Sequence, residues 1–360
     1  MRITAIETRI ASLPLPKPVI TPIHHITTID TVLTTLRTDD GPFGIAYNWT
    51  FGVPRARAIK ALIDDLAHLV HGEDPLATAH VWQKLWKDAN FLGRTGAVMF
   101  ALAALDIACW DVKGKALGLP LYRLLGGTSR AVPVYAGGLF LSDPIDAIVD
   151  EAKRYRAAGF NAMKMRTGAK RAGEDIERVA AVRSAIGPDA KLMVDVVQGW
   201  TVDQAIRLGR ALEPYDLTWI EDPVLFDDVA GLAKVAAALD VPIAAGENDY
   251  SKLGFKRLID AGAVDLPMPD LQRVGGVTEW MKVAALAEAS GLPVLPHVFA
   301  EISVHLVAAA PNGTWLEWVP WWDVLFKDKF KIANGTAVPP DRPGLGIEFD
   351  EDAIDRYRVV

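Results

Sequence analysis

Trp219-Ile220-Glu221-Asp222-Pro223 is the stretch that decides the fold. Leu217, Trp219 and Ile220 read as a short buried strand that runs directly into a carboxylate and is stopped by a proline. Two other stretches end in the same way. Lys191-Leu192-Met193-Val194 runs into Asp195, and Val241-Pro242-Ile243-Ala244-Ala245-Gly246 runs into Glu247. Asp195 and Glu247 each lie 26 residues from Glu221. Equal spacing of acidic strand ends predicts three successive strand–helix units that deliver three carboxylates to one place.

Outward from these units the alternation continues. Apolar strands are expected near 132–136, 161–166, 191–195, 217–221, 242–247, 264–269, 293–297 and 314–317. Amphipathic helices fill the gaps, at 143–158, 173–186, 202–212 and 277–289. Strict alternation at this pitch means a parallel sheet with helices outside. Eight strands favour a closed barrel over an open doubly wound sheet, and the first strand–helix turn carries no glycine-rich dinucleotide or phosphate fingerprint. The barrel is placed at 126–320. Before it, residues 1–125 predict an α+β domain: a strand over 1–12, a proline-rich loop over 14–28 holding His24 and His25, a hairpin over 30–47, and helices near 54–71, 78–90 and 93–117. The last helix carries the repeat Ala101, Leu105, Ala108, Val112 and is expected to end at Gly114 or Gly118. Residues 321–360 hold no further strand–helix unit and are expected to return to the N-terminal domain.

With 360 residues, 51% of them hydrophobic and 23% charged, the chain has the profile of a soluble globular protein with room for one large or two medium domains. A net charge of −7 argues against a nucleic-acid surface. No apolar run is long enough to span a bilayer, and Met1–Ile6 alternates like a strand without a signal-peptide core. The single cysteine, Cys109, excludes an internal disulfide and sits on an apolar helical face, so a cytoplasmic location is expected.

In a parallel barrel, functional groups gather at the carboxyl ends of the strands. Here those positions are Lys164 and Arg166, Asp195, Glu221, Glu247, Asp270, His297 and Glu317. A charge at one such end marks only where a strand leaves the core; seven consecutive strands with complementary chemistry point to a site. Asp195, Glu221 and Glu247 form an all-oxygen set suited to a hard cation such as Mg²⁺, which would offset their mutual repulsion. Lys164 and Arg166, two apart on one strand, share a face and suit an anionic substrate. Asp270 is placed to accept a hydrogen bond from His297, orienting the ring as a general base. Glu317, if protonated, would donate to a developing oxyanion.

The sequence resembles the mandelate racemase / muconate-lactonising enzyme family of the enolase superfamily, within it the mandelate racemase subgroup. The likeness covers essentially the whole chain. It is carried by Ala101-Leu-Ala-Ala-Leu-Asp106-Ile-Ala-Cys-Trp110-Asp111-Val-Lys-Gly114-Lys115, by Asp270-Leu-Gln-Arg273-Val-Gly275-Gly276-Val-Thr278, and by Pro296-His297 and Trp315-Leu316-Glu317. The resemblance implies an α+β capping domain on a (β/α)7β TIM-like barrel, with the site between them. It implies Mg²⁺ on Asp195, Glu221 and Glu247, an enediolate formed by removal of the proton α to a substrate carboxylate, and a homo-oligomer, dimer or octamer.

The sequence departs from the family pattern where a second base would stand. The motif Lys164-Met165-Arg166 replaces a lysine by an arginine, a poor proton acceptor. Val197 stands where the family usually has asparagine, and Asp222 follows the second ligand. A one-base β-elimination of water from an aldonate or aldarate therefore fits better than two-base racemisation. His297 would take the α-proton and protonate the departing hydroxyl. Cycloisomerisation of a sugar-acid lactone or ring ether starts with the same step, and a binding protein on a decayed barrel is the alternative of another class. His24, His25, Asn48, Trp49 and Trp318 are expected to contact the substrate, and Trp321 and Trp322 to shape its wall.

Overall fold

The computed structural model describes residues 1–21, 24–169 and 171–359. The chain opens with strands β1 (Ile3–Ile20), β2 (His25–Thr38) and β3 (Phe43–Thr50), an antiparallel sheet in that order, followed by helices α1 (Val53–Val70), α2 (Thr78–Asp88), α3 (Ala97–Leu117) and the short α4 (Leu121–Leu124). Of the span 14–28, expected as a loop, residues 14–20 and 25–28 belong instead to β1 and β2, with Pro14 opposite Thr28 and Ile20 opposite His25, while 22 and 23 lie outside the described residues. The physical reason lies in the proline spacing. Pro14, Pro16 and Pro18 occupy alternate positions, and alternate residues share one edge of a strand, so the missing N–H groups fall on a single edge.

The ring then follows as β4 (Val132–Gly138), α5 (Ile145–Ala157), β5 (Ala162–Arg166), α6 (Ala172–Ile186), β6 (Lys191–Asp195), α7 (Val202–Leu212), β7 (Leu217–Glu221), α8 (Val229–Ala238), β8 (Ile243–Ala245), α9 (Ser251–Asp260), β9 (Leu266–Pro267), α10 (Leu271–Val274), α11 (Val277–Ala289), α12 (Ala300–Ala309) and β10 (Leu316–Trp318). The strands run parallel in the order β10-β4-β5-β6-β7-β8-β9. Between β9 and β10 the ring closes through two parallel bridges, Asp270 to His297 and Val294 to Gly313. The strands expected at 264–269 and 293–297 are therefore reduced, because Pro267, Pro269, Pro293 and Pro296 have no N–H to give a ladder.

Inside the ring, Tyr135, Ala162, Met193, Trp219, Ala244, Met268 and Leu295 pack as one layer. The alanines on β5 and β8 leave room for the tyrosine and the indole, as large and small side chains must alternate to fill a barrel interior.

Helix α3 is buried on nearly every side rather than along one stripe. It lies between the capping sheet and the barrel, and Gly44 of β3 comes so close that a Cβ there would meet the Ala108 carbonyl oxygen at 2.0 Å. The helix runs through Gly114 and stops at Gly118, which takes the left-handed conformation at φ 66°. The cap is pinned to the barrel by side-chain hydrogen bonds. The indoles of Trp82 and Trp110 donate to the Gly275 carbonyl and to Thr278 Oγ1, both at 2.8 Å. The backbone N–H of Trp49 donates to the Gln272 side chain at Oε1, 3.0 Å away. The tail pairs β11 (Thr336–Ala337) against β4. It then crosses to the cap through α13 (Glu351–Tyr357), where Arg9 contacts Glu351 and the Val359 N–H donates to the Ile10 carbonyl at 2.9 Å. Among the described residues, no helix is long and apolar enough to cross a membrane.

Candidate active site

Strand register brings the carboxylates together. Arg166 is paired with Asp195, and Asp195 with Glu221, across β5, β6 and β7. Glu247 lies two residues past β8, after Gly246 turns the chain at φ 118°. One ligand atom from each of Asp195, Glu221 and Glu247 falls within 4.8 Å of the others. Asp195 and Glu221 are buried. Three oxygen-donating carboxylates this close fit a hard divalent cation, whose charge compensates theirs. Five non-glycine residues just past the strand ends (Val197, Gln198, Asp222, Val298 and Phe299) adopt positive φ. Such conformations cost about 1–3 kcal/mol each and persist where the surrounding structure enforces them.

Lys164 is completely buried among the acids. Its Nζ lies 2.5 Å from Glu221 Oε1, 2.9 Å from Glu317 Oε1 and 3.3 Å from Asp195 Oδ2. Burial alone would lower its pKa, but Glu221 and Glu317 outweigh it and hold the group as an ammonium above its ordinary value. The Arg166 guanidinium contacts Asp195 Oδ2. Glu317 departs from the expected protonated donor. Burial favours its neutral form, yet Lys164, His297 and Arg166 together hold the carboxyl below its usual range, and it acts here as an acceptor for Lys164 and for the Val298 N–H at 3.2 Å.

His297 Nδ1 lies 2.7 Å from Asp270 Oδ2, and its Nε2 lies 3.1 Å from Glu247 Oε2. Burial pulls the imidazole pKa down, while Glu247 and Asp270 more than offset this and raise it above the ordinary histidine value. Asp270 also caps α10, accepting from the N–H groups of Gln272 and Arg273 at 3.0 and 2.9 Å. That fixes the carboxylate which fixes the ring. Asp222 is held well above the ordinary carboxylate range by burial and by the charges of Glu247 and Glu221.

Of these groups, Arg166, Glu247 and His297 line a cavity of about 90 Å³ under the capping arm. Of the residues expected to contact substrate, His24 and Trp49 line it, as does Trp321. The Trp49 ring stands 6.2 Å from that of His297. The others do not line it. His25 is exposed on β2. Asn48 is buried and donates from Nδ2 to the Phe100 carbonyl at 3.1 Å, toward α3. Trp318 stacks on Phe160 at 5.3 Å, and Trp322 is buried against Tyr47 and Phe299. Neighbours on a strand point to opposite faces, so Asn48 and Trp49 do not share the cavity, nor do Glu317 and Trp318. Sequence reasoning missed Phe51, Gln198, Asn248 and Arg273 as lining residues. Arg273 was legible in principle, three residues after Asp270 and so one helical turn along. Its Nη1 lies 3.4 Å from Asp270 Oδ2.

Known proteins are similar to this chain along nearly its whole length. Residues 5–126 match the family model of the mandelate racemase / muconate lactonizing enzyme N-terminal domain, and residues 147–353 match the enolase C-terminal domain-like model. The chain is 37% identical to the 3,6-anhydro-alpha-L-galactonate cycloisomerase of Streptomyces coelicolor, covering 99% of both chains. It is 36% identical to the L-talarate/galactarate dehydratase of Salmonella typhimurium, over 98% of this chain and 90% of that one. Among solved structures, a racemase from Streptomyces coelicolor with bound magnesium superposes with a TM-score of 0.96 at 35% identity, covering 99% of this chain and 100% of that chain. A variant L-talarate/galactarate dehydratase liganded with Mg and L-glucarate gives 0.95 at 35% identity, covering 100% and 92%. Matched along both its capping and barrel parts, the chain belongs to the mandelate racemase / muconate lactonizing enzyme family of the enolase superfamily.

Proposed function

We propose that this protein is a Mg²⁺-dependent lyase that takes the proton α to the carboxylate of an acid sugar and expels the β-hydroxyl as water. The observation that carries the reading is the position of His297. One ring nitrogen is fixed by Asp270, and the other stands 3.1 Å from Glu247, which belongs to the cluster of three carboxylates and lines the cavity together with His297. Asp195, Glu221 and Glu247 would hold the metal. When bound there, Mg²⁺ supplies the Lewis-acid charge that makes a proton beside a carboxylate removable.

The chain's own residues do the rest. His297 takes the α-proton through Nε2, and Asp270 steadies the imidazolium so formed. The same nitrogen then returns the proton to the departing hydroxyl oxygen. Lys164 and Arg166 supply positive charge for the substrate carboxylate, and Arg166, whose guanidinium is a poor proton acceptor, does not serve as a second base. Trp49, Trp321 and His24 close the cavity from the capping side. Similarity to the talarate/galactarate and arabinonate dehydratases supports aldonates or aldarates as the substrate class.

A second reading keeps the first step and changes the leaving group to a ring oxygen, giving cycloisomerisation. The 37% identity to an anhydro-galactonate cycloisomerase over nearly the whole chain favours it. The family resemblance supports a dimer or octamer, and the buried thiol Cys109 suits the reducing cytoplasm.

The test is a panel of stereoisomeric aldonates, aldarates and their lactones with Mg²⁺, followed by NMR in D₂O. A 2-keto-3-deoxy acid formed from an open-chain acid with loss of water establishes the dehydratase. The same kind of product formed from a lactone or ring ether without loss of water establishes the cycloisomerase, and α-deuterium in an acid that has lost nothing establishes a racemase or epimerase. No exchange with any member overturns both and leaves a binding protein.

A further inference from the structure

Three carboxylates present six oxygens at the candidate metal centre, and each oxygen has a partner. Asp195 Oδ1 accepts from the Val197 N–H at 2.9 Å, while Oδ2 faces Arg166 and Lys164. Glu247 Oε1 accepts from Asn248 Nδ2 at 3.2 Å, while Oε2 faces His297 Nε2 at 3.1 Å. Glu221 Oε2 accepts from the Trp219 indole N–H at 3.1 Å, while Oε1 faces Lys164 at 2.5 Å. One pattern runs through all three. A neutral donor holds one oxygen, and a basic side chain faces the other.

Among the neutral donors, Trp219 is the side chain with least freedom. The Asn248 amide is only half-buried and is shared with Asp222 Oδ2 at 3.1 Å. The Trp219 indole is completely buried. Tyr135 meets it edge-on at 5.3 Å and 79°, and Trp315 at 6.5 Å and 63°. Met193, Met268 and Leu295 fill the same layer. An indole has one donor and no acceptor, and here that donor goes to a metal-ligand candidate. Trp219 and Glu221 lie two apart on β7, so the strand itself aims both side chains into the barrel.

We infer that Trp219 is a positioning residue for the metal. Its N–H fixes the Glu221 carboxylate, so that the ligand is oriented before the cation arrives. The inference rests on the reading of Glu221 as a metal ligand. Without the N–H, Glu221 Oε2 is left without a partner in a dry interior, and the carboxylate is free to turn toward Lys164. Removing an outer partner of this kind lowers metal affinity by about 10–100-fold. A side chain that only fills the barrel would leave affinity unchanged when its shape is kept.

The test replaces Trp219 in the full chain by 3-benzothienylalanine, which puts sulfur in place of the N–H and keeps the ring. Mg²⁺ binding to wild type and variant is measured by calorimetry, with melting in the absence of metal as the folding control. The expected result is a Kd for Mg²⁺ raised at least about tenfold in a variant that still melts cooperatively, at a temperature lowered by the unpaired Glu221 oxygen. Equal affinity in the two proteins overturns the proposal. A wild type that binds no Mg²⁺ overturns instead the assignment of Glu221. A measurement on the wild type alone covers a variant that does not fold. The Trp219 indole N–H resonance, assigned by its loss in W219F, should shift on Mg²⁺ titration and saturate at the calorimetric Kd, and a resonance that does not respond overturns the proposal.

Discussion

Asp270 Oδ2 lies 2.7 Å from His297 Nδ1 in a dyad that is buried on both sides. The contact leaves Nε2 as the nitrogen facing the cavity. If His297 is the base, H297N should abolish α-proton exchange. D270N keeps the shape but removes the charge that stabilises the imidazolium, and should slow exchange by about 10²–10⁴-fold, the usual worth of a positioned base. Wash-in of deuterium followed by NMR reads both. Undiminished exchange in H297N would reassign the base.

The packing of Asp195, Glu221 and Glu247 within 4.8 Å predicts a metal-linked gain in stability. A ligand present at about a hundred times its Kd adds about 2.7 kcal/mol to the folded state. Mg²⁺ should therefore raise the melting temperature of the wild type and restore turnover after chelation. E221Q removes one anion while keeping the side-chain length, and its melting temperature should not respond to Mg²⁺. A wild-type response retained in E221Q would remove Glu221 from the set.

The barrel and the acids were legible because strands that end in charged residues carry both signals in the same few positions. Trp219-Ile220-Glu221 announces its strand by apolar content and its chemistry by where the strand stops. Legibility failed where facing matters more than composition. Asn48 and Trp49 read alike as residues at a strand end, yet one turns to α3 and the other to His297. Proline content suggested a loop where alternate spacing permits a strand. The polar contact of Trp219 is invisible in sequence, because an indole inside an apolar run is indistinguishable from core until its N–H is seen on Glu221. Equal spacing also gave the right partners for an incomplete reason. Asp195 and Glu221 are in register, while Glu247 reaches the others from a turn beyond its strand.

Arg166 sets the expected stereochemical outcome. Its guanidinium touches Asp195 and borders the cavity, and a guanidinium is a poor proton acceptor. Wild-type protein should return unreacted substrate without its α-epimer. R166K places a deprotonatable amine at the same strand position. It should form the epimer slowly while the main turnover falls, since a lysine loses the two-pronged grip of arginine on a carboxylate. Chromatography of recovered substrate on a chiral phase decides this. Epimer from the wild type would mean that another group on that face accepts a proton.

Asp106 predicts how stability varies with pH away from the site. It is buried between α3 and α11, accepting from the Thr278 N–H at 2.9 Å and the Thr278 hydroxyl at 2.5 Å. Burial, only partly countered by Thr278, pushes its pKa up from 3.8 to about 7. The folded state therefore binds more protons than the unfolded state between these two values, so this group's contribution to stability is full below the unfolded pKa and declines as pH rises through the folded one. D106N mimics the protonated acid. From pH 5.5 upward it should melt above wild type, by a margin that widens until about pH 7 and is constant beyond it. Glu301, raised from 4.5 to about 7 chiefly by burial, adds a slope of the same sign, so D106N should flatten the profile without removing it. Melting curves of both proteins from pH 5.5 to 8.5, a span of about one and a half units on either side of the folded value, provide the check. Parallel profiles across that range would show that Asp106 is ionised in the folded protein throughout.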